Sequence, residues 1–241
     1  MTRVLAFDIF GTTVDWYTGV AEQVSATAAR NGIELDGGEL ASAWRERYLP
    51  SMNLVRSGEL PWTVLDVLHR RSLDELLEER GIAGSFDDAT RAELVLAWHR
   101  LPAWPDAMAG LTELRRDYVL AATSNGGFAL LTNLVKAAGL PFDCIISAEL
   151  AGHYKPDPEV YQTVAALLDV RPSDVLMVAC HNWDLAGARA AGLRTAFVER
   201  PLEKGPLGHA DKPGEADVDI TATSFPDLAR KLADLGAGVQ G

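Results

Sequence analysis

The chain has 241 residues, 48% of them hydrophobic, and a net charge of -12 from 22 Lys and Arg against 34 Asp and Glu. That is ample apolar material for a packed core, and no basic stretch is dense enough for a nucleic-acid footprint. No apolar run approaches the length of a membrane span and no leader pattern opens the chain, so a soluble, cytoplasmic protein with no membrane partner is expected.

The first element is an apolar run, Val4 to Phe7, that delivers Asp8 at its end, with Gly11 and Thr12 close behind. It reads as a buried parallel strand. From about 20 to 99 the pattern changes to helical periodicity rich in Arg and Glu. ELASAWRERYL and WTVLDVLHRRSLDELLEER read as amphipathic helices. Beyond 100, apolar runs at 118–124, 144–149, 175–180, 194–198 and 218–224 alternate with helical patterns at 105–116, 130–138, 157–168, 184–191 and 225–235. Gly139 and Gly192 close two of these helices. A Gly/Pro-rich loop covers 205–217.

Strands alternating with helices predict an α/β fold: a Rossmann-like, doubly wound parallel sheet with an inserted α-helical cap. The expected division is a core of 1–15 and 100–241 and a cap of 16–99. Open α/β sheets bind ligands beyond the carboxyl ends of their strands, so an insertion after the first strand is placed to act as a lid. Cys144 and Cys180 lack metal-ligand spacing and read as free thiols of a reducing compartment.

Four polar clusters fall at strand ends: Asp8-x-x-x-Thr12, Ser124-Asn125-Gly126, Lys155-Pro156-Asp157 and His181-Asn182-Trp183-Asp184. Singly, each reads as a turn or a helix cap. Together, in this order, they resemble the haloacid dehalogenase superfamily over nearly the whole chain. Phosphatases of that superfamily place a second Asp two positions after the nucleophile, where this chain has Phe10. They also bind magnesium through a pattern like G-D-x-x-x-D, where this chain has Cys180 for the first acid. Losing both points to a different chemistry, since magnesium wants oxygen ligands. The branch lacking both is the metal-independent type II (L-2-haloacid) dehalogenases, whose opening motif FDIFGTTVDW resembles, as do AWRERYL with Arg45, TSNG, HYKPDPEVY and NWDLAGARAAG.

The resemblance implies hydrolysis of short 2-haloalkanoic acids, such as 2-chloropropionate and chloroacetate, to 2-hydroxy acids. Asp8 would displace halide to form an ester, which water then hydrolyses; halide leaves without a general acid, so Phe10 is tolerable. Lys155 would keep Asp8 ionised, Asp184 would activate water, and the Thr12 and Ser124 hydroxyls would hold oxygens of Asp8 and of the substrate. Arg45 and Asn125 would meet the halide, with Ile9, Phe10 and Trp183 beside the substrate and Tyr161 orienting Lys155. No metal and no other cofactor is implied, and a homodimer is possible, with Trp62 and Trp98 open as interface or core. Ala179 and His181 depart from the Ser and Asn of many members. His181 either crowds the halide end, extending the range to fluoroacetate, or is a structural hydrogen-bonding residue. The alternatives are a phosphatase of the same fold acting on a small phosphate ester, and a non-catalytic binding protein.

Overall fold

A computed structural model describes residues 2–215 and 217–237. Among the described residues, six strands form one parallel sheet: β1 (Val4–Phe7), β2 (Val119–Ser124), β3 (Cys144–Ser147), β4 (Val175–Ala179), β5 (Arg194–Val198) and β6 (Ile220–Ala222). Their spatial order is β3-β2-β1-β4-β5-β6. The chain thus builds outward from β1 on one side, then crosses to β4 and builds outward on the other. Between β1 and β4 lies the switch point at which such sheets bind ligands.

Period-2 alternation divides each central strand between two cores. Leu5 and Phe7 of β1 join Leu120, Ala122, Leu176 and Val178 in one apolar cluster. Val4 and Ala6 join Ala121, Met177 and Ala179 in the other. Both faces are covered, which is why these strands read as continuous apolar runs.

Between β1 and β2 lie α1 (Trp16–Arg30), α2 (Gly37–Glu46), α3 (Tyr48–Arg56), α4 (Leu65–Glu79) and α5 (Asp88–Val95). Asp15, Asp36 and Asp87 cap α1, α2 and α5 by accepting backbone N–H groups of the first turn. The single helix expected across ELASAWRERYL is two, with the break at Arg47. Trp98 is buried among Phe10, Trp16 and Trp44, so it is core. Trp62 is partly buried against Tyr154. Arg56 pairs with Asp157 at 2.8 Å, and the Tyr154 hydroxyl donates to the Thr63 carbonyl. Both contacts tie this helical segment to the sheet-bearing part.

The remaining helices are α6 (Ala107–Leu114), α7 (Phe128–Ala138), α8 (Ala148–Ala151), α9 (Pro158–Leu167), α10 (Asn182–Ala190) and α11 (Phe225–Ala237). Gly139 follows α7 in the left-handed conformation, φ 64°, as its closing position requires. The run expected to be strand over 144–149 gives up its last two residues to α8. Ser147 turns the chain by accepting the Glu149 N–H. In the expected loop over 205–217, Ala216 lies outside the described residues.

Candidate active site

Asp8 follows β1 directly, with its N–H bonded to the Val178 carbonyl of β4 at 2.9 Å. The chain then folds on itself: Gly11 takes φ +84°, and the Thr13 hydroxyl donates to the Asp8 carbonyl at 2.7 Å. Side chains from elsewhere in the chain pin this loop. Trp104 Nε1 donates to the Gly11 carbonyl and Arg200 Nε to the Thr12 carbonyl, both at 2.8 Å.

Lys155 enters beyond α8, its backbone N–H held by Asn125 Oδ1 at 2.8 Å. Its ammonium donates to Asp184 Oδ2 at 2.7 Å and to Asp8 Oδ1 at 3.2 Å. Asp184 is in the first turn of α10 and fully buried. The Tyr161 hydroxyl donates to Asp184 Oδ1 at 2.7 Å. Tyr161 therefore orients Asp184 rather than Lys155, because its helix α9 packs against α10. Thr12 Oγ1 donates to Asp8 Oδ2 at 2.9 Å and accepts the Cys180 N–H at 3.0 Å.

The electrostatics separate the two carboxylates. Burial pushes the Asp8 carboxyl up, but Lys155, His181 and Thr12 pull it well below the usual carboxylate range. Burial dominates at Asp184 and the Asp8 charge adds to it, so its pKa is raised despite Lys155 and Tyr161. Burial works against the Lys155 ammonium too, but the two aspartates hold its pKa above the ordinary value. Two nearby acids with pKa values driven apart are suited to different jobs.

Arg45, in the last turn of α2, lies over the Tyr48 ring at 3.9 Å and near Trp16 at 5.3 Å. Its Nη1 is buried without a hydrogen-bond partner among the described residues, as is Asn125 Nδ2. Buried donors left unpaired are the groups a ligand would satisfy. Arg47 instead pairs with Glu79 at the surface. A cavity of about 800 Å³ is lined by Trp16, Arg45, Tyr48, His181, Trp183 and Glu203 among others. Phe10 packs edge-on against Trp98 and Tyr48, and Trp183 stacks on His181.

Ile9 is fully buried in the apolar core, in the same cluster as Phe10. Ser124, fully buried at the end of β2, accepts the Gly126 N–H at 3.2 Å and, among the described residues, makes no bond to Asp8.

Some neighbours carried no sequence signal. Tyr48 and His69 lie on helix faces that read as ordinary core. Glu203 and Arg200 lie in RPLEKG, which reads as a surface turn, yet both are buried. Glu203 faces His181 Nε2 at 3.3 Å, and His181 Nδ1 faces Asp8 Oδ2 at 3.2 Å.

The magnesium of the superfamily's phosphatases fits this donor set poorly. The Lys155 ammonium lies between Asp8 and Asp184, Cys180 stands where a ligating acid would be, and His181 closes the other side of Asp8. A magnesium ion requires near-octahedral oxygen ligands, and here it would sit against an ammonium and an imidazole.

A model of the haloacid dehalogenase-like hydrolase family matches residues 2–192. The chain is 34% identical over 209 residues to (S)-2-haloacid dehalogenase 1 of Pseudomonas sp. (strain CBS-3), covering 82% of this chain and 85% of the relative. The crystal structure of a defluorinating L-2-haloacid dehalogenase superposes with TM-score 0.93 at 43% identity, covering 96% of this chain and 95% of that one. That of another L-2-haloacid dehalogenase gives 0.92 at 46% identity, covering 97% and 100%. With the strand order, the placement of Asp8 and these matches in agreement, the chain belongs to the haloacid dehalogenase-like hydrolases.

Proposed function

We propose that the protein hydrolyses short (S)-2-haloalkanoic acids to 2-hydroxy acids, through an ester on Asp8 and without a metal ion. One observation carries this reading: Lys155 is buried between an ionised Asp8 and Asp184, while the place of a phosphatase's second acid is filled by Phe10 in an aromatic cluster. Such a site can expel a stable anion. It has no second carboxyl group two residues after Asp8, where Phe10 stands, to protonate a poor leaving group.

In the first step Asp8 attacks the halogen-bearing carbon from the side opposite the halogen. The carbon–oxygen bond forms as the carbon–halogen bond breaks, halide leaves with the electron pair, and the carbon inverts. In the second step Asp184, with its raised pKa, takes a proton from water attacking the ester. General-base help of this kind contributes on the order of 10² to 10⁴-fold. The helices of residues 16–99 act as a cap that carries Arg45 over the cavity, where its unpaired Nη1 meets the halide. Lys155 stays protonated and balances the charge of the two aspartates. Fluoroacetate belongs to the substrate range if His181 narrows the halide end, and a relative described as defluorinating supports including it.

The test is halide release from fluoroacetate, chloroacetate and both enantiomers of 2-chloropropionate, with EDTA present throughout. Release that survives EDTA and vanishes in Asp8→Asn is expected. Activity abolished by the chelator would instead favour a metal-dependent reaction.

A further inference from the structure

Beyond β5 the chain makes a tight turn, with the Glu203 N–H on the Arg200 carbonyl and the Gly205 N–H on that of Leu202. A carboxylate there would ordinarily be solvated. Glu203 is instead 2% exposed, and a buried carboxylate persists only where it is paired. Its Oε1 accepts the Trp16 indole N–H and faces His181 Nε2 at 3.3 Å. Gly11 makes the room: a Cβ at that position would lie 2.7 Å from the Glu203 side chain.

His181 therefore has a carboxylate oxygen opposite each ring nitrogen, Glu203 at Nε2 and Asp8 Oδ2 at Nδ1, 3.2 Å away. A ring nitrogen facing an ionised carboxylate donates, and Asp8 and Glu203 are both held below the usual carboxylate range, so His181 carries both protons as an imidazolium. The electrostatics point the same way. Burial opposes the charge on His181, but Cys180, Asp8 and Glu203 hold its pKa well above the ordinary value.

The acceptor count at Asp8 distinguishes its two oxygens. Oδ2 receives Thr12 at 2.9 Å and His181 at 3.2 Å, which uses both of its lone-pair directions. Among the described residues, Oδ1 receives Lys155 alone and keeps a lone pair free. Oδ1 is thus the atom available to attack, and Oδ2 the one that becomes the ester carbonyl oxygen.

We propose that Glu203 is a positioning residue for ester hydrolysis: it keeps His181 doubly protonated and aimed at Asp8 Oδ2, where negative charge develops when water adds. This rests on the aspartyl-ester reading above. Water adds to Asp8 Cγ and gives a proton to Asp184, while the carbonyl electron pair moves onto Oδ2 between the Thr12 and His181 donors. On collapse the pair returns, the Cγ–Oδ1 bond breaks, and the departing 2-hydroxy acid takes its proton from Asp184. The restored Asp8 carboxyl releases one proton to solvent. Donors fixed where charge develops stabilise the transition state most, and the charge on Glu203 fixes this one.

The experiment compares the wild type with Glu203→Gln, which keeps the shape and removes the charge. Rapid-quench assays on 2-chloropropionate read halide and hydroxy acid separately, and intact-protein mass reads the ester. Glu203→Gln is expected to keep its first-turnover halide burst and lose about 10- to 100-fold in steady-state turnover. Ester-bearing enzyme should accumulate, and activity should fall off at lower pH on the basic side than in the wild type. In wild-type protein, ring-nitrogen NMR shifts should show His181 as imidazolium well above its ordinary titration range, and that measurement decides alone if the variant does not fold. Wild-type turnover and pH profile in Glu203→Gln, or a neutral His181 in the wild type at neutral pH, would overturn the proposal. Absence of halide release from the wild type overturns the dehalogenase reading, and this proposal with it; it is recognised in the wild type before any variant is compared.

Discussion

Lys155 Nζ lies 2.7 Å from Asp184 Oδ2, with the lysine side chain 1% exposed and the aspartate fully buried. The same ammonium reaches Asp8 Oδ1 at 3.2 Å. One cation therefore serves two carboxylates whose proton affinities are driven in opposite directions. Removing it leaves both uncompensated. Lys155→Met should lower unfolding stability by about 3–5 kcal/mol and abolish halide release. Urea unfolding and the halide assay check the two effects, and a stable, active Lys155→Met would show that the pair is dispensable.

Arg45 packs on aromatic rings and also acts on the Glu203 carboxylate. Its guanidinium lies 3.9 Å from the Tyr48 ring centroid, a contact worth about 2 kcal/mol when desolvated. Lysine keeps the charge but neither the plane nor the fork of donors. Arg45→Lys should therefore lose roughly 30-fold in kcat/KM. Steady-state kinetics over a range of haloacids would show it, most strongly where the halide is smallest.

Stability should depend on pH at both ends. Burial pushes Glu203 up, but His181, Arg45 and Trp16 hold its carboxyl down to about 2, from 4.5. Its ionised form thus favours the fold above the ordinary value, and that stabilisation is lost as the pH falls from about 4.5 towards about 2. The difference is worth roughly 3 kcal/mol at neutral pH. His181, with its raised pKa, acts at the other end. Its contribution is complete below its ordinary value and is lost as the pH rises through its raised one. Urea midpoints across the pH range should fall on both sides, and Glu203→Gln should flatten the acid side. An unchanged acid limb in that variant would contradict the assigned charge.

Gly11 is constrained twice, by φ +84° and by the Glu203 side chain 2.7 Å from where a Cβ would lie. Gly11→Ala should cost about 1–3 kcal/mol. It should also slow turnover out of proportion to that loss, because the loop carries Asp8 and Thr12. Thermal unfolding and kcat measured on one preparation separate these effects.

Much of the site was legible because its residues stand at strand ends. Asp8, Asn125 and Lys155 each follow an apolar run by a few residues, so an α/β pattern brings them to one edge of the sheet. Asp184 opens a helix directly after β4, where the strand order reverses. Other residues escaped for physical reasons. Glu203 and Arg200 sit in a polar turn, and only the fold shows that the turn tucks beneath the Asp8 loop. Ile9 adjoins Asp8 in sequence, but its side chain is buried in the apolar core. Trp98 lies in the seam between the helical segment and the Asp8 loop, and a buried seam and an exposed interface have the same composition. Tyr161, expected to orient Lys155, aims its hydroxyl at Asp184 because α9 packs on α10.

An ester on Asp8 leaves an isotopic signature in a single turnover in heavy-oxygen water, with enzyme in excess over (S)-2-chloropropionate. The first hydroxy acid should carry ordinary oxygen taken from Asp8, while the heavy isotope should appear in the Asp8 carboxyl, readable by mass spectrometry of that peptide. Heavy oxygen in the first product with Asp8 unlabelled would mean that water attacks the substrate directly, and would contradict the ester.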